Sequence, residues 1–354
     1  MKKILIIIGI MCCLTGCTKE QKEEDKLYLS IKNRISNTIN DETGEADTVF
    51  YTVDLKNGIE KEQETLHYYY NYSGGLYDKA EKKYYYIDRD FCGESYCGDN
   101  VYIYDENNQQ KEKANNDLML GTNNYVYKNG NRLYLVSAQV DEYYQPHALY
   151  ELDLETNEIE LLYGDEDLTI TQADYNPITD EVIFSLQSWS KRYASIVEAV
   201  GEKGEGGTGI QIQPTNYIYT YKDGKASEIV EAGPGEILDL AVNDSYVVYH
   251  YNYSKLYNYE NRNEVVFDDY VTIDRESGES STGVLGKTID NLYEIYYISE
   301  DNQYMICDIY YDTGREVYDK IVKYDFETEE ITELFDLQNT LSFGTVHVVV
   351  MKDE

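Results

Sequence analysis

The chain has 354 residues, with 67 acidic side chains against 30 basic ones and a formal net charge of −37. Such a surface excludes nucleic acid as a partner, because phosphates are held by clustered Lys and Arg, and it repels anionic wall polymers. It favours cationic partners. No cofactor motif is present, and its carboxylates could hold Ca²⁺.

The first residues fall into three parts. Lys2 and Lys3 form a positive start, Ile4 to Leu14 is largely apolar, and Leu14-Thr15-Gly16-Cys17 follows. A secretory signal peptide has those parts in that order. The apolar stretch is shorter than the ~20 residues that span a bilayer. The Leu-Thr-Gly-Cys run resembles the lipobox of bacterial lipoproteins. That resemblance implies a diacylglyceryl group on the Cys17 thiol and cleavage just before it. It also implies attachment to the extracytoplasmic face of the cell membrane, for which two acyl chains suffice. Residues 1–16 then read as a signal peptide, 17–26 as a lipidated tether, and 27–354 as the folded body. The run from Thr18 to Asp25 is polar and charged without apolar periodicity, as a tether requires.

The body is rich in strand formers. It carries 40 Tyr, recurrent Val and Ile, and only four Pro (Pro146, Pro177, Pro214 and Pro234), all in expected turns. One pattern recurs: a β-rich run, a tight polar turn, a second run. The clearest copies are Ala148 to Tyr163 and Ile321 to Phe335. Weaker copies begin at Val49, Val101, Tyr217 and Leu256. Asn-Gly and Asp-Gly turns between alternating runs are strong hairpin signals. The residues before these turns are Asp54, Asp105, Asp153, Tyr221, Tyr259 and Asp325, at intervals of 51, 48, 68, 38 and 66 residues. A second hairpin precedes each of them, as at Tyr125 to Ser137, Ala173 to Leu186, Leu240 to Tyr251 and Glu294 to Ile309.

A four-stranded unit repeating every ~50 residues is a propeller blade. The expected fold is therefore all-β, a β-propeller of about six blades. Ser342 to Met351 has no unit of its own and completes the first blade, whose only early strand is Leu27 to Ile31. Closing the ring this way removes exposed sheet edges. The hairpins at Tyr150 to Thr156 and Tyr324 to Thr328 carry a resemblance to six-bladed propellers of the TolB-like kind found in bacterial lipoproteins. The competing arrangement for the same hairpins is a two-sheet sandwich or two smaller β domains.

The connections between second and third strands read as long: Lys32 to Thr48, Asp88 to Asn100, Gln139 to His147, Gln187 to Asn216, and Tyr311 to Lys320. In a meander these loops share one face of the disc. The residues expected to touch a ligand there are Tyr143, Tyr144, Trp189 and Arg192, with Tyr72 ahead of the second blade, since Tyr and Trp give large contact area at low entropy cost. Cys92 and Cys97 form a C-x₄-C that an extracytoplasmic setting permits to close as a loop staple. Cys307 falls in an apolar run and reads as a core residue. No metal centre is expected, because His67, His147, His250 and His347 lack ligand spacing. No nucleophile elbow or metalloprotease helix occurs either. The leading expectation is a non-enzymatic, membrane-anchored module that binds a protein or peptide. The alternative is a cell-wall or host glycan-binding protein, or a glycoside hydrolase built on its abundant carboxylates.

Overall fold

The computed structural model describes residues 26–35, 38–40, 43–56, 58, 60–69, 74–93, 95–114, 120–139, 146–200, 210–211, 213–254, 257–258, 265–312, 317–336 and 346–353. Blade 1 begins with β1 (Leu27–Arg34), β2 (Glu45–Asp54) and β3 (Glu60–Tyr69). Blade 2 is β4 (Gly75–Asp78), β5 (Lys83–Cys92), β6 (Ser95–Asp105) and β7 (Gln110–Lys113). Blade 3 is β8 (Leu120–Asn129), β9 (Arg132–Gln139), β10 (Ala148–Asp153) and β11 (Ile159–Tyr163). Blade 4 holds β12 (Leu168–Asn176) and β13 (Glu181–Ser188). An insertion follows, with a helix, α1 (Trp189–Val200), and a short strand, β14 (Ile210–Gln211). The blade resumes with β15 (Thr215–Lys222) and β16 (Lys225–Pro234). Blade 5 is β17 (Glu236–Val242) and β18 (Tyr246–Ser254), the inserted β19 (Tyr257–Asn258), then β20 (Val265–Asp274) and β21 (Ser280–Thr282). Blade 6 is β22 (Leu292–Ile298), β23 (Tyr304–Asp312), β24 (Val317–Asp325) and β25 (Ile331–Asp336).

The last strand, β26 (Val346–Lys352), returns to blade 1. It pairs antiparallel with β1, from Leu27 opposite Lys352 to Asn33 opposite Val346, and becomes the innermost strand of that blade. Each blade is then a four-stranded antiparallel meander, and the six innermost strands touch in turn around a closed ring. The molecule is a six-bladed β-propeller closed by its C-terminal strand.

Burial follows from this stacking. Middle strands are covered on both faces by neighbouring blades, so β13 is buried along its whole length. Outer strands face solvent, so β21 is exposed throughout and β3 largely so. Sheets covered on both faces need near-continuous apolar runs. Here many of those positions are Tyr, whose hydroxyls reach the next blade. Tyr28 Oη donates to Tyr77 O at 3.3 Å, and Ser30 Oγ accepts from Tyr77 N at 2.7 Å. The inner-strand ends are tied in the same way: Asn176 Nδ2 donates to Val242 O at 2.7 Å, and Asn243 Nδ2 to Ser299 O at 3.0 Å.

The repeated turn has a physical basis. Asp153 Oδ1 accepts from the backbone N–H of Glu155 and Thr156, at 2.8 and 2.9 Å. Asp325 does the same with Glu327 and Thr328, at 3.0 and 2.8 Å. These bonds stabilise the ionised carboxyl and hold both Asp groups below the usual carboxylate range. Asp54 and Asp105 likewise accept from the backbone N–H of Lys56 and Asn107. The side chain thus mimics a backbone turn. Blade 4 is the exception. It turns on Asp223-Gly224, both at positive φ, the two-residue hairpin form.

Three expectations need correction. The fifth outer hairpin is not Leu256 to Phe267; it is β20–β21, turning on Asp274, whose Oδ1 accepts from Glu276 N and Ser277 N. With Asp274 in place of Tyr259 the intervals become 51, 48, 68, 53 and 51 residues. Asn261-Arg262-Asn263 has turn composition but lies outside the described residues, between β19 and β20. Second, two of the expected long loops are ladder. β5 and β6 run on until Cys92 faces Ser95, and β23 and β24 until Asp312 faces Val317. Third, the Gln187 to Asn216 connection contains α1, which the strand reading did not anticipate.

Candidate functional site

The two insertions lie on the face that carries the second-to-third-strand loops. They meet there: β14 of blade 4 pairs with β19 of blade 5, Ile210 opposite Asn258 and Gln211 opposite Tyr257. Helix α1 starts where it does because two side chains cap it. Ser188 Oγ accepts from Lys191 N at 3.3 Å, and Asp167 Oδ1 accepts from Ser190 N at 2.8 Å. Capping of this kind satisfies amides that have no partner inside the helix. The signal was legible: Ser188 precedes Trp189, Tyr193, Ile196 and Val200 at helical spacing.

Of the residues singled out from sequence, Trp189 opens α1, and Arg192 lies one turn on. Arg192 Nη1 donates to Gln187 Oε1 at 3.5 Å. It lines a cavity of about 120 Å³ with Gln172, Gln187, Glu236 and Leu238, between blades 4 and 5. Tyr72, Tyr143, Tyr144 and Cys17 lie outside the described residues. The Cys92 and Cys97 backbones form the end of the β5–β6 hairpin, but their side chains lie outside the described set, as would any bond between them. Cys307 is buried with a free thiol, as expected. Among the described residues no three acidic, His or Cys side chains group to hold a metal ion.

The polar feature that sequence reasoning missed lies on the inner strands of blades 4 to 6. Inner strands β12, β17 and β22 each carry a bulge near the loop end, at Thr171, Leu238 and Tyr293. A bulge re-aims the side chains around it. The residues just after the three bulges are Gln172, Asp239 and Glu294, with Asp174 two positions further along β12. On β8, which is irregular at the same level, Tyr125 Oη donates to Gln172 Oε1.

Asp239 is buried and accepts from Tyr270 Oη at 2.9 Å and from the backbone N–H of Ile295 and Leu240, both at 2.8 Å. Burial and the neighbouring Glu294 push its carboxyl well up in spite of those bonds. Asp174 is pushed up by burial first, and then by Asp239 and Glu294. Glu294 is exposed, yet desolvation raises it to about 6. Asp308, opposite Glu294 in the β22–β23 ladder, is raised to about 8 by burial and then by Asp319 and Glu294. On β26, the inner strand of blade 1, His347 is lowered to about 4 by burial and by the Lys32 ammonium. There is no slack around it, since a Cβ on Gly74 would sit 3.0 Å from His347 Nε2 and 2.9 Å from Val126 N.

Two larger clefts lie away from this axis. One of about 450 Å³ separates the outer hairpins of blades 1 and 6, beside Lys56, Lys323 and Glu333. One of about 320 Å³ separates blades 2 and 3, beside Lys83, Glu112 and Glu155. Both are lined by charges of both signs.

No family model matches the chain, and no curated protein does. Solved structures do. The chain is similar to one in the crystal structure of a nidogen/laminin complex, at 9% identity and TM-score 0.49, covering 93% of this chain and 99% of that one. It is similar to TolB from Acinetobacter baumannii, at 11% identity and TM-score 0.49, covering 92% and 67%. It is also similar to an oligogalacturonate lyase in complex with manganese, at 13% identity and TM-score 0.46, covering 82% and 73%. The assignment of a six-bladed propeller rests on the blade topology itself.

Proposed function

We propose that the protein is a membrane-anchored binding module. A lipid on Cys17 holds it to the extracytoplasmic face of the membrane. The propeller captures a basic protein or peptide segment, without catalysis, on the loop ends of blades 4 to 6.

The observation that carries this reading is where the exposed apolar side chains fall. Among the described residues, six large hydrophobic side chains stand well exposed: Leu161, Tyr193, Leu238, Val266, Tyr293 and Ile331. Four of them, Tyr193, Leu238, Val266 and Tyr293, lie in α1 or at the loop ends of β17, β20 and β22. Scattered exposed apolar residues mean little, but a patch gathered on one face marks an interaction surface. Tyr beside Arg is the composition of binding hot spots, and Arg192 stands beside this patch. The chain's net charge of −37 and the inner-strand acids behind the patch select a basic partner, mainly through the rate of encounter.

The test is fluorescence anisotropy of the purified full-length protein with a panel of labelled basic, neutral and acidic peptides, and with wall glycan fragments as a further arm. A basic peptide should bind, and Tyr193→Ala with Tyr293→Ala should weaken it about tenfold, or ~1.4 kcal/mol. Leu161→Ala with Ile331→Ala, on outer strands, should leave it unchanged. Binding of glycans alone, or equal loss in the two double variants, contradicts the reading.

A further inference from the structure

We infer that blade 5 leaves a gap in its outer edge, and that a basic segment of the partner fills the gap as an added β-strand along the first half of β20. The inference rests on the proposed capture of a basic segment and deepens it, because it states how that segment is held.

The gap comes from a mismatch in strand length. β20 runs ten residues, Val265–Asp274, and pairs with β18 from end to end. β21 should cover its other edge, but has three residues and pairs only with Val271, Thr272 and Ile273. Elsewhere the outer strand does its work: β3 pairs with β2 from Glu45 to Val53, and β16 with β15 from Thr215 to Lys222.

The chain is actively turned away from the edge. One further bond is made, from Gly283 N to Tyr270 O at 2.7 Å. Gly283 then takes a φ of +86°, and a Cβ there would sit 2.4 Å from Lys287 O, so only glycine fits. Val284 and Lys287 each donate a backbone N–H to the other's carbonyl at 2.9 Å and close the turn. Thr272 Oγ1 donates to Gly283 O at 2.7 Å and accepts from Leu285 N at 2.9 Å. Lys287 Nζ ties the turn to blade 6 through Phe326 O and Glu329 Oε1.

What stays open is backbone. The ladder with β18 is regular from Phe267 to Asp274. Tyr270 O points outward to Gly283, and alternate residues point their backbone groups the same way, so the N–H and C=O of Asp268 point outward too. Among the described strands none pairs with that stretch of the edge. The Tyr270 N–H beside it donates to Asp269 Oδ1 at 2.7 Å, in place of a strand partner. Unpaired groups on a sheet edge are a template for another chain, and strand addition is a recurring mode of peptide capture.

Charge selects the occupant. Asp268 and Asp269 point to opposite faces of the edge. Asp268 also meets His250 Nε2 at 2.9 Å, yet its side chain stays 47% exposed. Opposite charges across a strand pair attract and like charges repel. A second copy of the chain, paired edge to edge, would set these acids against their own counterparts. Val266 is exposed and Phe267 half-buried. A segment running in the direction of β21 therefore meets two acids and then two apolar residues, and its matching order is basic, basic, apolar, apolar.

The experiment is fluorescence anisotropy of the purified full-length protein with the labelled peptide Thr-Lys-Lys-Val-Val-Thr. The peptide should bind. N-methylation of its second lysine, which faces Asp268, should weaken it about tenfold or more. N-methylation of its first lysine, whose N–H points away from β20, should have no effect. Asp268→Pro removes the outward N–H without breaking the ladder to β18, and should abolish binding. Asp268→Asn keeps that N–H and should weaken binding only about threefold. Melting curves confirm folding, and the two methylated peptides decide the matter if the proline variant does not fold. Equal effects of the two methylations, with binding still weakened by Tyr193→Ala and Tyr293→Ala, keep the partner surface and overturn the added strand. Binding of no basic peptide overturns both. Dimers of the protein that Asp268→Pro removes would place a second copy in the gap and overturn the inference as well.

Discussion

Removing the Arg275 side chain should destabilise the ring at one identifiable seam. Arg275 starts the outer turn of blade 5 and reaches back to blade 4. Its Nη1 and Nη2 donate to Glu181 Oε2 and Oε1, each at 2.9 Å, and Nη1 also donates to Asn243 O at 2.8 Å. Glu181 is completely buried at the start of β13. Breaking a buried ion pair from one side costs ~3–5 kcal/mol, mostly because the remaining charge is stranded. Lys222 Nζ stays 3.6 Å from Glu181 Oε2 and softens the loss, so about 3 kcal/mol is expected. In a domain of this size that lowers Tm by roughly 4 °C. Arg275→Met should show that loss in denaturant melts. Arg275→Met with Glu181→Met should recover most of it, because no buried charge is then left unpaired. A double variant that loses as much as the two single variants summed would refute the reasoning.

Two further outcomes follow from single groups. Asp308 has its carboxyl raised to about 8 by burial, Asp319 and Glu294, so the folded state binds a proton that the unfolded chain releases near pH 4. Its favourable contribution is complete below that value and is lost as pH rises through about 8. Asp308→Asn should therefore match the unaltered protein at acid pH and exceed it in stability at pH ~9, and parallel stability–pH curves would count against the buried acid. Cys17→Ser should move the protein from the detergent phase to the aqueous phase on phase separation, because the acylated thiol is gone; unchanged partitioning would mean that the anchor is not on Cys17.

The sequence made the frame of this fold legible where a side chain dictates the backbone. Asp153 and Asp325 announce their turns because a carboxylate followed by Thr three residues on can cap its own loop. The ring closure was legible because Ser342 to Met351 is apolar and had no unit to join. In blade 5 the same logic misleads. Asn261-Arg262-Asn263 has turn composition, while Asp274 sits in a run of Glu and Ser that resembles surface filler. Helix α1 interrupts a strand period that continues on both sides of it, although Ser188 and the spacing from Trp189 to Val200 signal a helix. The inner-strand acids could not be found that way. Asp174, Asp239 and Glu294 are three among 67 acidic residues, and what sets them apart is a bulge in each inner strand, which leaves no mark in composition. The patch of Tyr193, Leu238, Val266 and Tyr293 was equally hidden, since its members lie far apart in the chain and gather only when the ring closes.

The most direct test of the account is hydrogen–deuterium exchange on the full-length protein, with and without the basic peptide that binds it most tightly. The account predicts slowed exchange in α1, in the β14–β19 pair and at the loop ends of β17, β20 and β22, with no change at the Asp153, Asp274 and Asp325 turns on the opposite face. Protection confined to those turns or to the outer strands, or no basic peptide that binds at all, would contradict it.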